Sequence, residues 1–335
     1  STYPPPIKED GNGRMANADY TDAWRNGYDN SGSVDLSEEM PHEYRFGTAD
    51  FTDFDGEDLC QQFNFLNCSQ DPSPGNASEG AFYFEFNDAD PDCDEGVDDQ
   101  NNDCYSLVEV NDEPPDVKQK FANWFSYYRS RQFAARVGIA EAFEELSEGI
   151  RLGWGAINAE DTDLDVDNVE NTLIQGVRPF DNDAPEEFRE WLYERPASGG
   201  TPLRTSLDDI GRYFEDDTDD GPWSDDPPDG SSDNPHVACR QSFSILMTDG
   251  FWNGGNPDLE DDDGDNSQGD VIENDGEGDN FLYSPVEPFA DDQDNTLADV
   301  AMKYWKRDLR SDLDNLVPNS DRNPAFWQHM VTYGV

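Results

Sequence analysis

Positive charge is what this 335-residue sequence most lacks: 21 Lys and Arg stand against 77 Asp and Glu, and only five of the basic residues are Lys. A formal charge of −56 excludes nucleic acid as a partner, because no basic patch exists to neutralise phosphates. Histidine is nearly absent, with His42, His236 and His329 far apart, and the five cysteines form no CxxC pair, which argues against zinc. No apolar run approaches the roughly 18 residues of a membrane span, and the opening Ser1-Thr2-Tyr3-Pro4-Pro5-Pro6 is not a signal peptide. The final Met330 to Val335 reads as a strand cut short, so both ends are expected to belong to a portion of a longer exported protein. GxSxG, HExxH and phosphate-binding glycine loops are missing as well.

What is present in excess is acid. Self-repulsion of this size weakens a compact state at low ionic strength, so the composition reads as built for high salt, with runs such as Glu215-Asp216-Asp217 and Glu260 to Asp263 on a solvated surface. Disorder competes with that reading at a mean hydropathy of −0.92. Against it stand 8 Trp, 13 Tyr and 20 Phe, enough large apolar surface for a core.

Cys60 and Cys68 close a short polar loop, and Cys93 and Cys104 bracket ten residues, nearly all polar, that have no apolar means of holding together. Pairing within each couple, Cys60 with Cys68 and Cys93 with Cys104, is expected in an oxidising compartment. Cys239 is left over, either a buried thiol at a strand start or the partner of a cysteine elsewhere.

Organisation changes near Pro114-Pro115. Residues 1–116 are irregular, with a strand at the alternating Phe82, Phe84 and Phe86, whereas residues 117–335 carry a regular α/β pattern with an acidic insert at 254–295. The periodicity predicts a long helix over Phe121 to Leu146, a strand over Arg151 to Asn158, an extended segment over Leu173 to Phe180 and a short helix over Phe188 to Tyr193. It then predicts an amphipathic helix over Pro202 to Phe214, a buried strand through Phe243, Ile245, Leu246 and Met247, a helix over Leu297 to Leu309 and a last strand. Helices alternating with strands indicate an α/β sheet with crossover connections.

In such a sheet ligands sit at the carboxyl ends of the strands. Thr248-Asp249-Gly250 delivers Asp249 there, and Ser198-Gly199-Gly200-Thr201-Pro202 offers a hydroxyl on a loop before a helix. A hydroxyl and a carboxylate are hard oxygen donors that suit Mg²⁺ or Ca²⁺. Trp252, just beyond, is either lining of a binding face or core packing. Asp261, Asp263 and Asp265 alternate around Gly264 as a second cation candidate, but the Gly comes too early for an EF-hand and no Glu stands twelfth from Asp261, so a solvated insert is the competing reading.

Several blocks in this order, NWFSYYRSRQFAARVGIAEAF, SGGTPLRTSLDDIGRYF, CRQSFSILMTDGFWNG and DVAMKYWKRDLRSDLDNLVP with FWQHMVTY, resemble the von Willebrand factor A-like region of the PilY/PilC family, adhesins at type IV pilus tips. The resemblance implies a Rossmann-like sheet flanked by helices. It also implies a metal-ion-dependent adhesion site made by a DxSxS loop, a Thr and an Asp, with Thr201 and Asp249 at the last two positions. Asp29-Asn30-Ser31-Gly32-Ser33 satisfies DxSxS as a string, yet polar turn sequence precedes it, so Asp29, Ser31 and Ser33 read as a turn. The genuine loop and its strand are expected upstream of Ser1. The implied function is an extracellular pilus-tip adhesin or assembly factor that meets minor pilins on one side and a host or abiotic surface on the other. A metal-free architectural cap or priming subunit is the alternative, and a secreted hydrolase the weaker enzyme hypothesis, although no feature marks one carboxylate among the 77 as catalytic.

Overall fold

The computed structural model describes residues 3–40, 80–87, 89, 91, 93, 104–144, 146, 149–158, 172–196, 198–225, 235–248, 250–257, 259, 261–275 and 278–335. They fall into two compact units, Ser1–Leu146 with Asp183–Pro196, and Ser147–Asn182 with Ala197–Val335.

The first unit opens with a hairpin, β1 (Ala23–Asn26) and β2 (Ser31–Val34), paired antiparallel from Ala23 opposite Val34 to Asn26 opposite Ser31. A second antiparallel pair joins β3 (Phe82–Phe86) to β4 (Tyr105–Glu109), and a Cys93–Cys104 disulfide closes the loop that feeds β4. Helix α1 (Pro115–Tyr127) starts on a proline, tolerated where no intrahelical N–H is needed, and buries Ala122 and Phe125 among Ala18, Ala23, Val34, Leu36, Phe82 and Val110. The single long helix expected over Phe121 to Leu146 is two helices, because α2 (Arg131–Glu144) begins afresh after Tyr128 to Ser130. At the break Ser130 Oγ accepts the Phe133 N–H, Arg129 donates to the Phe125 carbonyl, and the Tyr28 hydroxyl donates to the carbonyls of Tyr127 and Phe133. Side chains therefore satisfy the backbone groups that a broken helix leaves open. Helix α3 (Ala184–Glu194) begins earlier than expected, with a proline in its first turn. It is held by the Tyr193 hydroxyl on the Ile7 carbonyl at 2.7 Å and by Arg189 Nε on the Glu9 carbonyl at 2.8 Å.

The second unit contains an antiparallel pair, β5 (Arg151–Gly155) with β6 (Leu173–Pro179), and a parallel pair, β7 (Phe243–Leu246) with β10 (Val331–Gly334). A two-residue pair, β8 (Val271–Ile272) with β9 (Phe281–Leu282), lies in the acidic insert. Two parallel strands need a crossover, and α5 (Leu297–Trp305) lies in the connection between β7 and β10. Helix α4 (Leu203–Tyr213) packs against α5 so closely that a Cβ on Gly211 would lie 2.2 Å from the Tyr304 ring. Their shared core holds Leu207, Phe214, Trp223, Val300, Tyr304, Leu309 and Met330.

The result is a mixed α/β protein whose described strands form short, two-stranded sheets. One expectation changes in a way that matters for function. Strand β7 forms where the apolar run predicts it, but Phe243, Ile245 and Met247 are not buried: they are 51%, 62% and 46% exposed. The physical reason is that, among the described residues, β7 pairs on one side only, with β10.

Candidate functional site

Three loops of the second unit meet beyond the carboxyl ends of β5 and β7. The loop before α4 turns at Gly199, whose φ of +83° favours glycine, and continues through Gly200, where a Cβ would lie 2.6 Å from Asn253 Oδ1. That close approach lets Thr201 and Asn253 bond reciprocally: the Thr201 N–H donates to Asn253 Oδ1 and the Asn253 N–H to the Thr201 carbonyl, both at 2.9 Å. From the loop after β5, Asn158 donates its side-chain amide to the Gly200 carbonyl. Arg204, in the first turn of α4, donates to the carbonyls of Asn295 at 2.7 Å and Gly255 at 3.2 Å. Its guanidinium lies 4.0 Å from the Trp252 ring, a cation–π contact that leaves Trp252 52% exposed rather than in the core.

Thr201 is thus held from both sides at a loop junction, beside an exposed tryptophan. Asp249, expected to share a cation with it, lies outside the described residues, as do Cys60 and Cys68. The DxSxS string closes the first-unit hairpin: Asp29 Oδ1 accepts the Ser31 N–H at 2.7 Å, Asp29 Oδ2 accepts from Asn26, and Asn30 has a φ of +52°. Its carboxylate serves the turn. Cys239 is a free thiol and exposed rather than buried. His329 is fully buried between the Trp327 carbonyl and the Asn323 side chain, and burial pushes its pKa below the ordinary value.

The acidic insert brings a different set of carboxylates together. Asp263 and Asp265 have oxygens within 4.8 Å of one another and of Asp299, which belongs to the first turn of α5. Asp261 is not part of that cluster. Burial raises the Asp265 carboxyl above its ordinary range, and the charges of Asp299, Asp291 and Asp263 add to the effect against a hydrogen bond from the Asp291 N–H. Asp299 was missed from the sequence because 34 residues separate it from Asp265. Its signal was Thr296-Leu297-Ala298-Asp299, a capping box in which the Thr296 side chain accepts from the Asp299 N–H and the Asp299 carboxylate accepts back from the Thr296 N–H.

Comparison with known proteins settles the relationship. The chain is 31% identical over 333 residues to the type IV pilus biogenesis factor PilY1 of Pseudomonas aeruginosa strain UCBPP-PA14, a match covering 94% of this chain and 25% of that protein. Against PilY1 of strain PAK it is 30% identical over 347 residues, covering 96% of this chain and 27% of the relative. Over nearly its whole length the chain is PilY1-like. It spans about a quarter of the length of these relatives. No family model and no solved structure matches it. Among the described residues of this PilY1-like chain, no helix is long and apolar enough to cross a membrane.

Proposed function

We propose that this chain is the von Willebrand factor A-like part of a type IV pilus tip factor, and that a cation held at Thr201 and Asp249 lets it bind a surface or a pilus partner. In this reading residues 117–335 form the A-like domain, and the protein acts outside the cell by binding rather than by catalysis. The observation that carries it is the arrangement of β5 and β7. At their starts, Arg151 and Arg240 donate to one carbonyl, that of Ser224, at 3.3 and 2.6 Å. At their ends, Asn158 and Asn253 bond the adjacent residues Gly200 and Thr201. The two strands therefore point in one direction, yet they are not hydrogen-bonded to each other.

A parallel strand supplied by polypeptide outside residues 1–335 would pair with both and join β6, β5, β7 and β10 into one five-stranded sheet. It would also shelter the exposed apolar side chains of β7 and satisfy the edge that β7 now presents. Such a strand, ending in the DxSxS loop that the resemblance implies, would deliver further oxygen donors beside Thr201, where ligands of open α/β sheets gather. The hard donors favour Mg²⁺ or Ca²⁺.

The test is made on the full-length protein. Thr201→Ala should weaken cation affinity on the order of 10–100-fold and abolish cation-dependent attachment, while Thr201→Ser, which keeps the hydroxyl, should restore both. Unchanged affinity and attachment in Thr201→Ala would rule out the site.

A further inference from the structure

We infer that Asp263, Asp265 and Asp299 bind a Ca²⁺ ion that fastens the acidic insert to the first turn of α5. This site is separate from the one at Thr201 and stands on different observations. The three side chains each offer an oxygen within 4.8 Å of the others. One ion with Ca–O distances of about 2.3–2.6 Å spans that separation.

Acidic clusters are common on so acidic a protein, and most need no ion. This one differs in burial and in what its oxygens lack. Asp265 is 1% exposed and Asp299 0%. In Asp299 one oxygen accepts from the Thr296 N–H at 2.7 Å and the Thr296 hydroxyl at 2.9 Å, while the other accepts only the Asp265 N–H at 3.2 Å and keeps a lone pair for an ion. Asp265 Oδ1 accepts the Asp291 N–H at 3.1 Å. Asp265 Oδ2 and Asp263 Oδ1, by contrast, are shut off from solvent with no hydrogen-bond partner. The Asn295 side-chain oxygen, in the residue preceding the helix cap, is buried without a partner as well. Buried carboxylate oxygens without donors are strongly unfavourable, and one bound cation is the partner that satisfies both Asp265 Oδ2 and Asp263 Oδ1.

Lys306 is the available protein cation, but it does not fill this role. Its ammonium donates to the Gly264 carbonyl at 2.5 Å, the Ser267 carbonyl at 3.1 Å and the Ser267 hydroxyl at 2.7 Å, not to a carboxylate. One ammonium also leaves three carboxylates undercompensated. The donor set contains only oxygen, which excludes the nitrogen and sulfur chemistry of zinc sites. Calcium suits it better than magnesium because Ca²⁺ accepts six to eight oxygens in irregular geometry, whereas Mg²⁺ requires a near-octahedral set and keeps its waters.

The expected consequence is structural. The ion would tie the loop around Asp263 and Asp265 to Asp299, next to Asn295, whose carbonyl holds Arg204. The experiment uses the whole chain, freed of metal with a chelator and kept in molar NaCl so that surface carboxylates do not collect ions. Calorimetric titration of the Thr201→Ala chain should find a Ca²⁺ site that binds Ca²⁺ at least about tenfold more tightly than Mg²⁺. Saturating Ca²⁺ should raise Tm by roughly 5 °C or more. Asp265→Asn keeps an acceptor for the Asp291 N–H and should remove the Ca²⁺-dependent rise. Asp263→Asn, at a half-buried position outside the capping box, should weaken Ca²⁺ at least about tenfold and decides the matter if Asp265→Asn does not fold. Thr201→Ala should leave this binding unchanged, which separates its failure from failure of the site proposed above. The inference is overturned if Ca²⁺ leaves Tm unaltered, or if Asp263→Asn binds it as well as the parent chain does.

Discussion

Raising NaCl from about 0.01 M to about 1 M is expected to lift Tm by more than about 10 °C, because the Debye length falls over that range from about 30 Å to about 3 Å. The charge of −56 resides on 77 acidic residues against 21 basic ones, so the folded chain repels itself wherever its acids are closer than that length. The few cations are already engaged in specific contacts. Arg310 chelates Asp312 at 2.8 Å, Lys303 and Arg212 hold Asp208, and Arg189 meets Glu144 at 3.4 Å. Each of these pairs has one buried partner, and together they engage few of the 77 acids, so screening has most of the charge to act on. A melting temperature that stays flat across the salt range, measured with chelator present, would mean that the acids are compensated within the fold.

The second large effect centres on Asp208. Its carboxylate is 3% exposed and accepts from Lys303 at 2.9 Å, the buried Tyr304 hydroxyl at 2.7 Å and Arg212 at 3.0 Å. It joins α4 to α5 at the centre of the second unit's core. Replacing Asp208 by Ala leaves Lys303 and the Tyr304 hydroxyl without their acceptor, and removing one partner of a buried pair costs about 3–5 kcal/mol. Tm should fall on the order of 10 °C. Asp208→Asn, which keeps an acceptor, should lose less. Equal stability of Asp208→Ala and the parent in a denaturant titration would contradict this role.

Acid titration gives the same region an independent check. Burial by itself would raise the Asp208 carboxyl, but hydrogen bonds from Lys303 and Tyr304, with the charges of Lys303 and Arg212, outweigh it and hold the pKa below the ordinary 3.8. A depressed folded pKa contributes stability that is full above 3.8 and lost as pH falls through the folded value. His329 is also depressed, by burial, below its ordinary 6.5, so its neutral form is favoured by the fold and its contribution erodes as pH falls below 6.5. In molar salt, stability should therefore decline in two stages, the first weakened in His329→Gln and the second in Asp208→Asn.

Much of this was legible in the sequence. Apolar spacing located α4, α5, β7 and β10, because amphipathic periodicity and burial arise from the same side chains. The break at Tyr128 to Ser130 was not legible, since Tyr, Arg and Ser all tolerate a helix and the interruption depends on Tyr28, about a hundred residues away, capturing two carbonyls. The exposure of Phe243 and Ile245 was equally hidden. An apolar run reports that a strand wants neighbours, not whether the described residues supply them. At the candidate sites, Thr201 stood out by its GGTP turn, whereas Asn253 and Asn158 carry no pattern that marks them as its anchors. Asp263 and Asp265 were visible as alternating acids, but the choice between solvated loop and ligand set depended on Asp299, which only the fold brings to them.

The role proposed for the chain is as part of a factor at the end of a type IV pilus. Fold resemblance alone would be a weak basis for that claim, and the kinship to PilY1 covers about a quarter of those relatives. The direct measurement is labelling of the tagged, full-length protein on intact piliated cells, with filament ends resolved. Label is expected at the distal ends of filaments, and fewer filaments when the protein is deleted. Label spread evenly along the filament shaft, or confined to the cytoplasm, would contradict that role.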